Sequence, residues 1–312
     1  MQWISYVIVY LAILFFLIVV AVRFIWFCRM PLHLRWELYP VPHEGKGRDQ
    51  YGGSYFEEVS WWAKPFQKSQ LNVIKAMIPE MLFLVSIYRN NRSLWWWTFS
   101  FHFGLYMIIL SIGLLGLNAF LHIFAWYSLL GHNGIISLPI ITIRFGITLS
   151  FIGSMGLLLR RFLDSKLHAY TNKVDLIHLV LFAGFSIYSG AVIYFIDPKL
   201  IYFNQFLVNL LTLNLKPIIE NDLFDGWIIF SSLLIAYIPM TRMAHFFLKW
   251  FTYHGIRWDD EINRVGSPME KKLAEQLAFK VSWSADHLKK DCGKTWLDVA
   301  TSGVSEKNVH KK

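Results

Sequence analysis

The amino-acid sequence predicts an all-α protein built as a five-helix transmembrane bundle. Of its 312 residues, 55% are hydrophobic and only 16% are charged, whereas a soluble domain carries about 25% charged residues. The charges lie in blocks, because residues 1–22 and 93–143 contain no Lys, Arg, Asp or Glu. This pattern excludes an ordinary soluble enzyme, a disordered chain and a nucleic-acid-binding protein.

Five segments are long and apolar enough to cross a membrane, which takes about 20 apolar residues. The first segment lacks a small-residue cleavage site and is too aromatic for a signal peptide, so we expect a retained anchor. The predicted spans are Trp3–Phe27, Leu94–Phe120, Leu138–Leu159, Val174–Ile196 and Phe224–Lys249.

The distribution of Lys and Arg predicts the orientation of these spans. With the N-terminus outside and the C-terminus inside, all but three of the 30 basic residues fall on the inner side. The exceptions are Arg144, Lys199 and Lys216. This asymmetry predicts a multi-pass protein of the cell's inner (cytoplasmic) membrane.

The spans divide the chain into four predicted parts. The second part should contain an interfacial helix over Leu71–Tyr88, and the outer segment 197–223 has apolar residues that can lie flat on the membrane. The parts are a first transmembrane helix (1–27), a cytoplasmic insertion (28–93), a four-helix membrane core (94–250) and a cytoplasmic tail (251–312).

Histidines are the candidate functional residues of the spans, since an ionisable side chain inside a bilayer is a functional candidate by default. Two imidazoles from different helices can hold a haem in a bundle core. His102, His178 and His245 all lie in the predicted inner half, whereas His122 lies at the outer end of the second span. Depth therefore allows one inner haem from two of these three histidines and leaves the pair open. The two cysteines are too few for an iron–sulfur cluster.

Two sequence runs resemble the gamma-subunit family of respiratory nitrate reductase. Phe101-His102-Phe103-Gly104 is similar to the F-H-x-G that opens the second helix of that family, and Pro239–His245 (PMTRMAH) is similar to its P-F-S-R-L-V-H. The LLLRR end of the third span, with Asp175 at the start of the fourth, also fits the family.

The resemblance implies a cytochrome b with one haem b. Family members hold two b haems, and the inner pair of ligands matches His102 and His245. Arg242, one turn before His245, could neutralise a haem propionate or serve as a positive-inside anchor. The positions that match the outer ligands are Ile112 and Trp227, and neither side chain can ligate iron. A di-haem version would have to use His122 and His178, and His178 is also the fallback for the inner haem.

The long insertion, with its run His33–Pro40, resembles membrane cytochrome b subunits of sulfate-reducer transmembrane complexes and heterodisulfide reductases. That likeness implies a cytoplasmic iron–sulfur partner of the heterodisulfide reductase type. The expected role is electron transfer between menaquinone or another quinone and that partner, as an oxidoreductase subunit of a respiratory complex without independent activity. A haem-free membrane anchor of such a complex is the alternative, and a transporter is disfavoured by the lack of an inverted repeat.

Two further charged residues lie at the ends of predicted spans. Arg144, near the outer end of the third span, could bind a quinone carbonyl or snorkel to the interface. Asp175 is expected to cap the fourth span at its N-terminus.

Overall fold

The computed structural model describes residues 2–29, 57–64, 69–124, 134–253, 265–282 and 293–301. Within these ranges the chain is helical and contains no strand, only an isolated bridge between Lys280 and Thr295. Five helices are long and apolar enough to cross a membrane, which confirms the all-α class. The helices are α1 Gln2–Cys28, α2 Gln70–Leu82, α3 Val85–Asn90, α4 Arg92–Ile123, α5 Gly134–Leu163, α6 Ser165–Tyr170, α7 Lys173–Phe195, α8 Ile201–Leu211, α9 Asp222–Tyr237, α10 His245–Phe251, α11 Pro268–Leu277 and α12 Trp296–Thr301.

The chain divides into two compact units. The first comprises Met1–Val19 and Lys75–Arg242, and the second comprises Val20–Ile74 and Met243–Lys312. The first unit holds the start of α1, most of α2, and α3 to α9. The run 33–40 and Cys292 lie outside the described residues, and the four domain boundaries drawn from the sequence stay predictions.

The helices α4 and α5 pack backbone against backbone through glycines. A Cβ atom added to Gly104 would lie 2.7 Å from the Gly146 carbonyl oxygen, and one added to Gly146 would lie 2.8 Å from the Gly104 oxygen. A Cβ on Gly153 would meet the Phe101 backbone, and one on Gly156 the Trp97 ring. Small residues permit this approach where lipid supplies no hydrophobic force between helices.

The largest apolar core of the first unit joins α8 and α9 to their neighbours. Phe206 stacks on Tyr6 of α1 at 4.5 Å between ring centroids, and Phe203 contacts Trp227 at 5.1 Å. The Asp197 carboxylate accepts hydrogen bonds from the backbone N–H groups of Ile201 and Phe203, each at 2.8 Å, and so caps α8. Burial raises the pKa of Asp197, although these bonds oppose the shift.

The fifth span is shorter than the sequence predicts. Its helix α9 ends at Tyr237, and two 3₁₀ turns follow, over Ile238–Met240 and Arg242–Ala244. Pro239 explains the break, because it lacks an N–H and its ring collides with the carbonyl one turn earlier in an α-helix. Consequently, His245 begins a separate helix instead of continuing the span.

The predicted interfacial helix Leu71–Tyr88 is also two helices, α2 and α3. They are separated at Phe83 and Leu84, where Leu84 takes the left-handed conformation with φ of 53°. We call the segment Met81–Leu84 the hinge.

Candidate functional site around His102

His102 has a fixed ring orientation and a defined tautomer. Its Nδ1 lies 2.8 Å from the carbonyl oxygen of Thr98, one turn earlier in α4. A carbonyl only accepts hydrogen bonds, so Nδ1 carries the proton, and a neutral ring then has its lone pair on Nε2. An Nδ1–H bond to a backbone carbonyl is the usual support for a histidine that ligates metal through Nε2.

His102 lies on the side of α4 that faces away from α5. Successive residues of an α-helix are about 100° apart, so Gly104 is about 200° from His102 around the helix. The residues on the same side of α4 as His102 form a stripe, and successive members are seven, four, three and four residues apart in the sequence. We call this stripe the His102 face, and it consists of Trp95, His102, Tyr106, Ile109 and Gly113.

The hinge covers the N-terminal half of the His102 face through two hydrogen bonds. The Trp95 indole donates to the Phe83 carbonyl oxygen at 2.7 Å, and the Tyr106 hydroxyl donates to the Met81 carbonyl oxygen at 2.7 Å. Trp95 lies seven residues before His102 and Tyr106 lies four after it, so the hinge runs alongside the turn that carries His102. The His102 and Tyr106 rings are 6.5 Å apart between centroids.

A ladder of aromatic rings continues from the hinge along α4. Trp95 stacks on Phe99 with centroids 4.7 Å apart, and Phe99 stacks on Phe103 at 5.3 Å. Tyr88 of α3 meets Trp95 edge-on at 5.1 Å, and the Arg92 guanidinium lies over the Tyr88 ring at 4.9 Å. Trp95 and Trp96 at the start of α4 are thus part of a packed aromatic cluster.

His178, the fallback ligand, is a buried histidine with a side-chain partner. It is 6% exposed, and its Nε2 lies 3.1 Å from the Tyr237 hydroxyl. Phe182, one turn further along α7, meets Phe101 edge-on at 5.3 Å between centroids. Ligation of iron by the His178 Nε2 would therefore require the contact with Tyr237 to be exchanged.

The other two histidines are exposed. His122 lies in the last turn of α4, and His245 is the first residue of α10. His102 belongs to the first unit and His245 to the second. The pairing of His102 with His245 therefore stays a prediction.

Trp227, at the position that matches an outer haem ligand of the resembled family, is packed among aromatic side chains. Trp227 is 4% exposed, and its indole donates to the Ser189 hydroxyl at 2.9 Å. Its ring lies 5.1 Å from Phe203 and 5.9 Å from Phe224. The indole is thus a core residue with a satisfied donor.

Asp175 and Arg242 are paired with each other. Arg242 Nη1 lies 3.4 Å from Asp175 Oδ1, and the Arg242 side chain is 73% exposed. Such an exposed pair adds little stability. The predicted N-cap role of Asp175 belongs instead to Asn172, whose side chain accepts a hydrogen bond from the Val174 N–H, because the helix begins two residues earlier than Asp175.

Arg144 of α5 is held by contacts to residues at and beyond the end of α7. Its Nη2 donates to the Pro198 carbonyl oxygen at 2.8 Å, and its guanidinium lies 5.1 Å from the centre of the Tyr194 ring. The buried Nε has no hydrogen-bond partner among the described residues. The guanidinium of Arg144 thus has two contacts within the first unit, and its Nε has no acceptor among the described residues.

The comparisons with known proteins add no assignment: no family model, no curated protein and no solved structure matches this chain. Among the described residues there is also no group of three or more His, Cys, Asp and Glu side chains that could hold a metal ion. Sequence reasoning missed the role of Tyr106 and of the hinge. The spacing of Trp95, His102 and Tyr106 on one helical stripe is the signal that could have identified the face.

Proposed function

We propose that this chain is a membrane cytochrome b subunit of a respiratory complex, with its N-terminus outside and one haem b in the inner half of the bundle. It would transfer electrons between menaquinone, or another quinone, and a cytoplasmic iron–sulfur partner of the heterodisulfide reductase type. The five apolar helices and the concentration of basic residues on one side support this placement.

The observation that carries the proposal is the state of His102. The Thr98 carbonyl holds the proton on Nδ1, so a neutral imidazole offers Nε2 to a metal. The donor chemistry of His102 thus fits haem iron, and His245 is the second ligand implied by the family resemblance. Bound there, a haem b would take up and release one electron at a time. Arg242, beside Asp175, would be the cation near a propionate.

A single haem is favoured over two. The outer family positions are Ile112 and Trp227, and the Trp227 indole is built into a packed aromatic core with its N–H bonded to Ser189. His122 is exposed at the end of α4, and the His178 Nε2 contacts Tyr237. Neither arrangement favours a second haem.

The charged surface of the tail supports a role in docking the soluble partner. α11 carries Glu270, Lys271, Lys272 and Glu275, all exposed, along one short helix. A surface with both signs of charge can orient a partner with complementary charges. Exposed apolar side chains along α1, such as Leu11, Leu14 and Leu17, would contact lipid.

The test is a pyridine haemochrome assay with redox difference spectra on the purified full chain. We expect one haem b per chain, its loss in His102→Ala and its retention in His122→Ala, the control on the same helix. Two haems per chain, or equal haem content in all three proteins, would contradict the single-haem assignment to His102. A wild-type protein without a Soret band would make the chain a haem-free anchor.

A further inference from the structure

The Tyr106 hydroxyl contacts a carbonyl oxygen beside the candidate haem ligand. It lies on the same face of α4 as His102, one turn further along, and donates to the Met81 oxygen at 2.7 Å. A backbone carbonyl and a quinone carbonyl are the same type of acceptor. The phenol is thus an O–H donor already oriented toward an sp² oxygen within 6.5 Å, between ring centroids, of the His102 imidazole.

The hinge that supplies this carbonyl is held in a strained conformation by contacts from α4 and by one bond between α2 and α3. Leu84 has φ of 53°, in the left-handed region that a residue with a side chain rarely adopts. Backbone strain of this kind clusters at ligand sites and switch regions. The contacts that hold the hinge are the bonds from Trp95 and Tyr106 and the bond from the Ser86 N–H to the Glu80 carboxylate at 2.8 Å. The Tyr106 hydroxyl is thus one of three side-chain contacts at the hinge, and a ligand oxygen that takes its place leaves the other two in place.

The surroundings are apolar and open along the same face. Met81, Leu82 and Phe83 are 39%, 43% and 52% exposed, and Ile109, the next residue of the His102 face, is 65% exposed. Gly113 has no atom within 4 Å of the position where a Cβ would lie. The hinge and this strip, which is exposed among the described residues, provide an apolar surface for a prenyl tail beside a single polar donor, which is the usual make-up of a small-molecule site.

We propose that the hinge and Tyr106 form the quinone site of this protein, with a quinone carbonyl replacing the Met81 carbonyl as the acceptor of the Tyr106 hydroxyl. This inference rests on the proposed function and deepens it by placing the quinone beside His102. It places the quinone on the His102 face of α4 instead of at Arg144, the possible quinone residue that the sequence suggested.

The experiment titrates the full chain in lipid nanodiscs with 2-heptyl-4-hydroxyquinoline N-oxide, a fluorescent quinol analogue. Tyr106→Phe removes one hydroxyl and keeps the ring. Losing a hydrogen bond worth about 1–1.5 kcal/mol weakens binding about tenfold. The matched control is Tyr188→Phe in α7, whose hydroxyl also donates to a backbone carbonyl, that of Leu223, at 2.9 Å. We expect about tenfold weaker binding for Tyr106→Phe and unchanged binding for Tyr188→Phe.

The inference is overturned if Tyr106→Phe binds the analogue as tightly as the wild type, or if Tyr188→Phe loses the same affinity. It is also overturned if Arg144→Gln alone weakens binding. Haem content, measured on the same samples, separates this result from the proposed function. One haem with binding that does not depend on Tyr106 removes the quinone site and leaves the cytochrome, whereas a wild-type protein without haem removes the proposed function.

Discussion

The two faces of α4 are built in opposite ways. On one face, Gly104 contacts α5 so closely that an added Cβ would lie 2.7 Å from the Gly146 oxygen. On the other, the hinge is held to Trp95 and Tyr106 by two side-chain hydrogen bonds. Backbone contact leaves no room for adjustment, since packed interiors tolerate little added volume. Hydrogen bonds to a hinge can be exchanged, so the second face is suited to binding and the first to holding the bundle together.

The largest expected effect is at the close contact between α4 and α5. Gly153→Ala places a methyl group against the backbone of Phe101, where neither helix can yield. Overpacking of this kind costs about 1–3 kcal/mol, so we expect a clear fall in the thermal unfolding midpoint in detergent. The control, Gly113→Ala, adds the same methyl group on the His102 face where nothing lies within 4 Å. Equal midpoints for the two variants would remove the contrast between the faces.

The next effect concerns the packed core around Trp227, the residue at the position that matches an outer haem ligand of the resembled family. Ser189→Ala removes the acceptor of the buried Trp227 indole N–H. A buried donor without a partner costs about 1–3 kcal/mol, so the protein should be less stable to heat while its haem content is unchanged. Ser231→Ala on α9 is the control, because its hydroxyl bonds only within its own helix, to the Trp227 carbonyl oxygen. Loss of haem in Ser189→Ala would connect this core to a cofactor and weaken the single-haem proposal.

A smaller effect is expected for the hinge. Trp95→Phe keeps an aromatic ring against Phe99 but removes the N–H that binds the Phe83 oxygen. The loss of about 1 kcal/mol should speed amide hydrogen exchange in peptides that cover residues 80–88 several-fold. Trp96→Phe, at a side chain that is 63% exposed, should leave exchange there unchanged. Unchanged exchange in Trp95→Phe would mean that the indole does not hold the hinge.

The smallest expected effect tests directly whether His102 or His178 is the haem ligand. Tyr237→Phe removes the hydroxyl that contacts the His178 Nε2. If His102 and not His178 binds the haem, the haem-to-protein ratio and the reduced-minus-oxidised spectrum should be the same as in the wild type. A shifted spectrum or a changed haem ratio in this variant would place His178 at the iron.

The elements predicted best from the sequence are those with the longest apolar runs. The first four spans differ from their helices by a few residues, because 20 or more apolar residues have one stable arrangement in a bilayer. The predicted fifth span runs too far, to Lys249, whereas the helix ends at Tyr237. Pro239 is the sequence signal for that end, because proline breaks an α-helix. The predicted helix 71–88 was broken at Leu84, for which the sequence carries no signal, since leucine is an unusual residue at positive φ.

The sequence by itself determined the helical class, the long apolar helices and the set of candidate histidines, because composition and hydrophobic pattern act locally along the chain. Only the tertiary structure decided which glycines bring α4 and α5 together, that the His178 Nε2 contacts Tyr237, and that the hinge covers the His102 face. The residues in these contacts are 12 to 59 positions apart in the sequence. A linear pattern does not encode them, because they depend on how side chains of separate helices fit together.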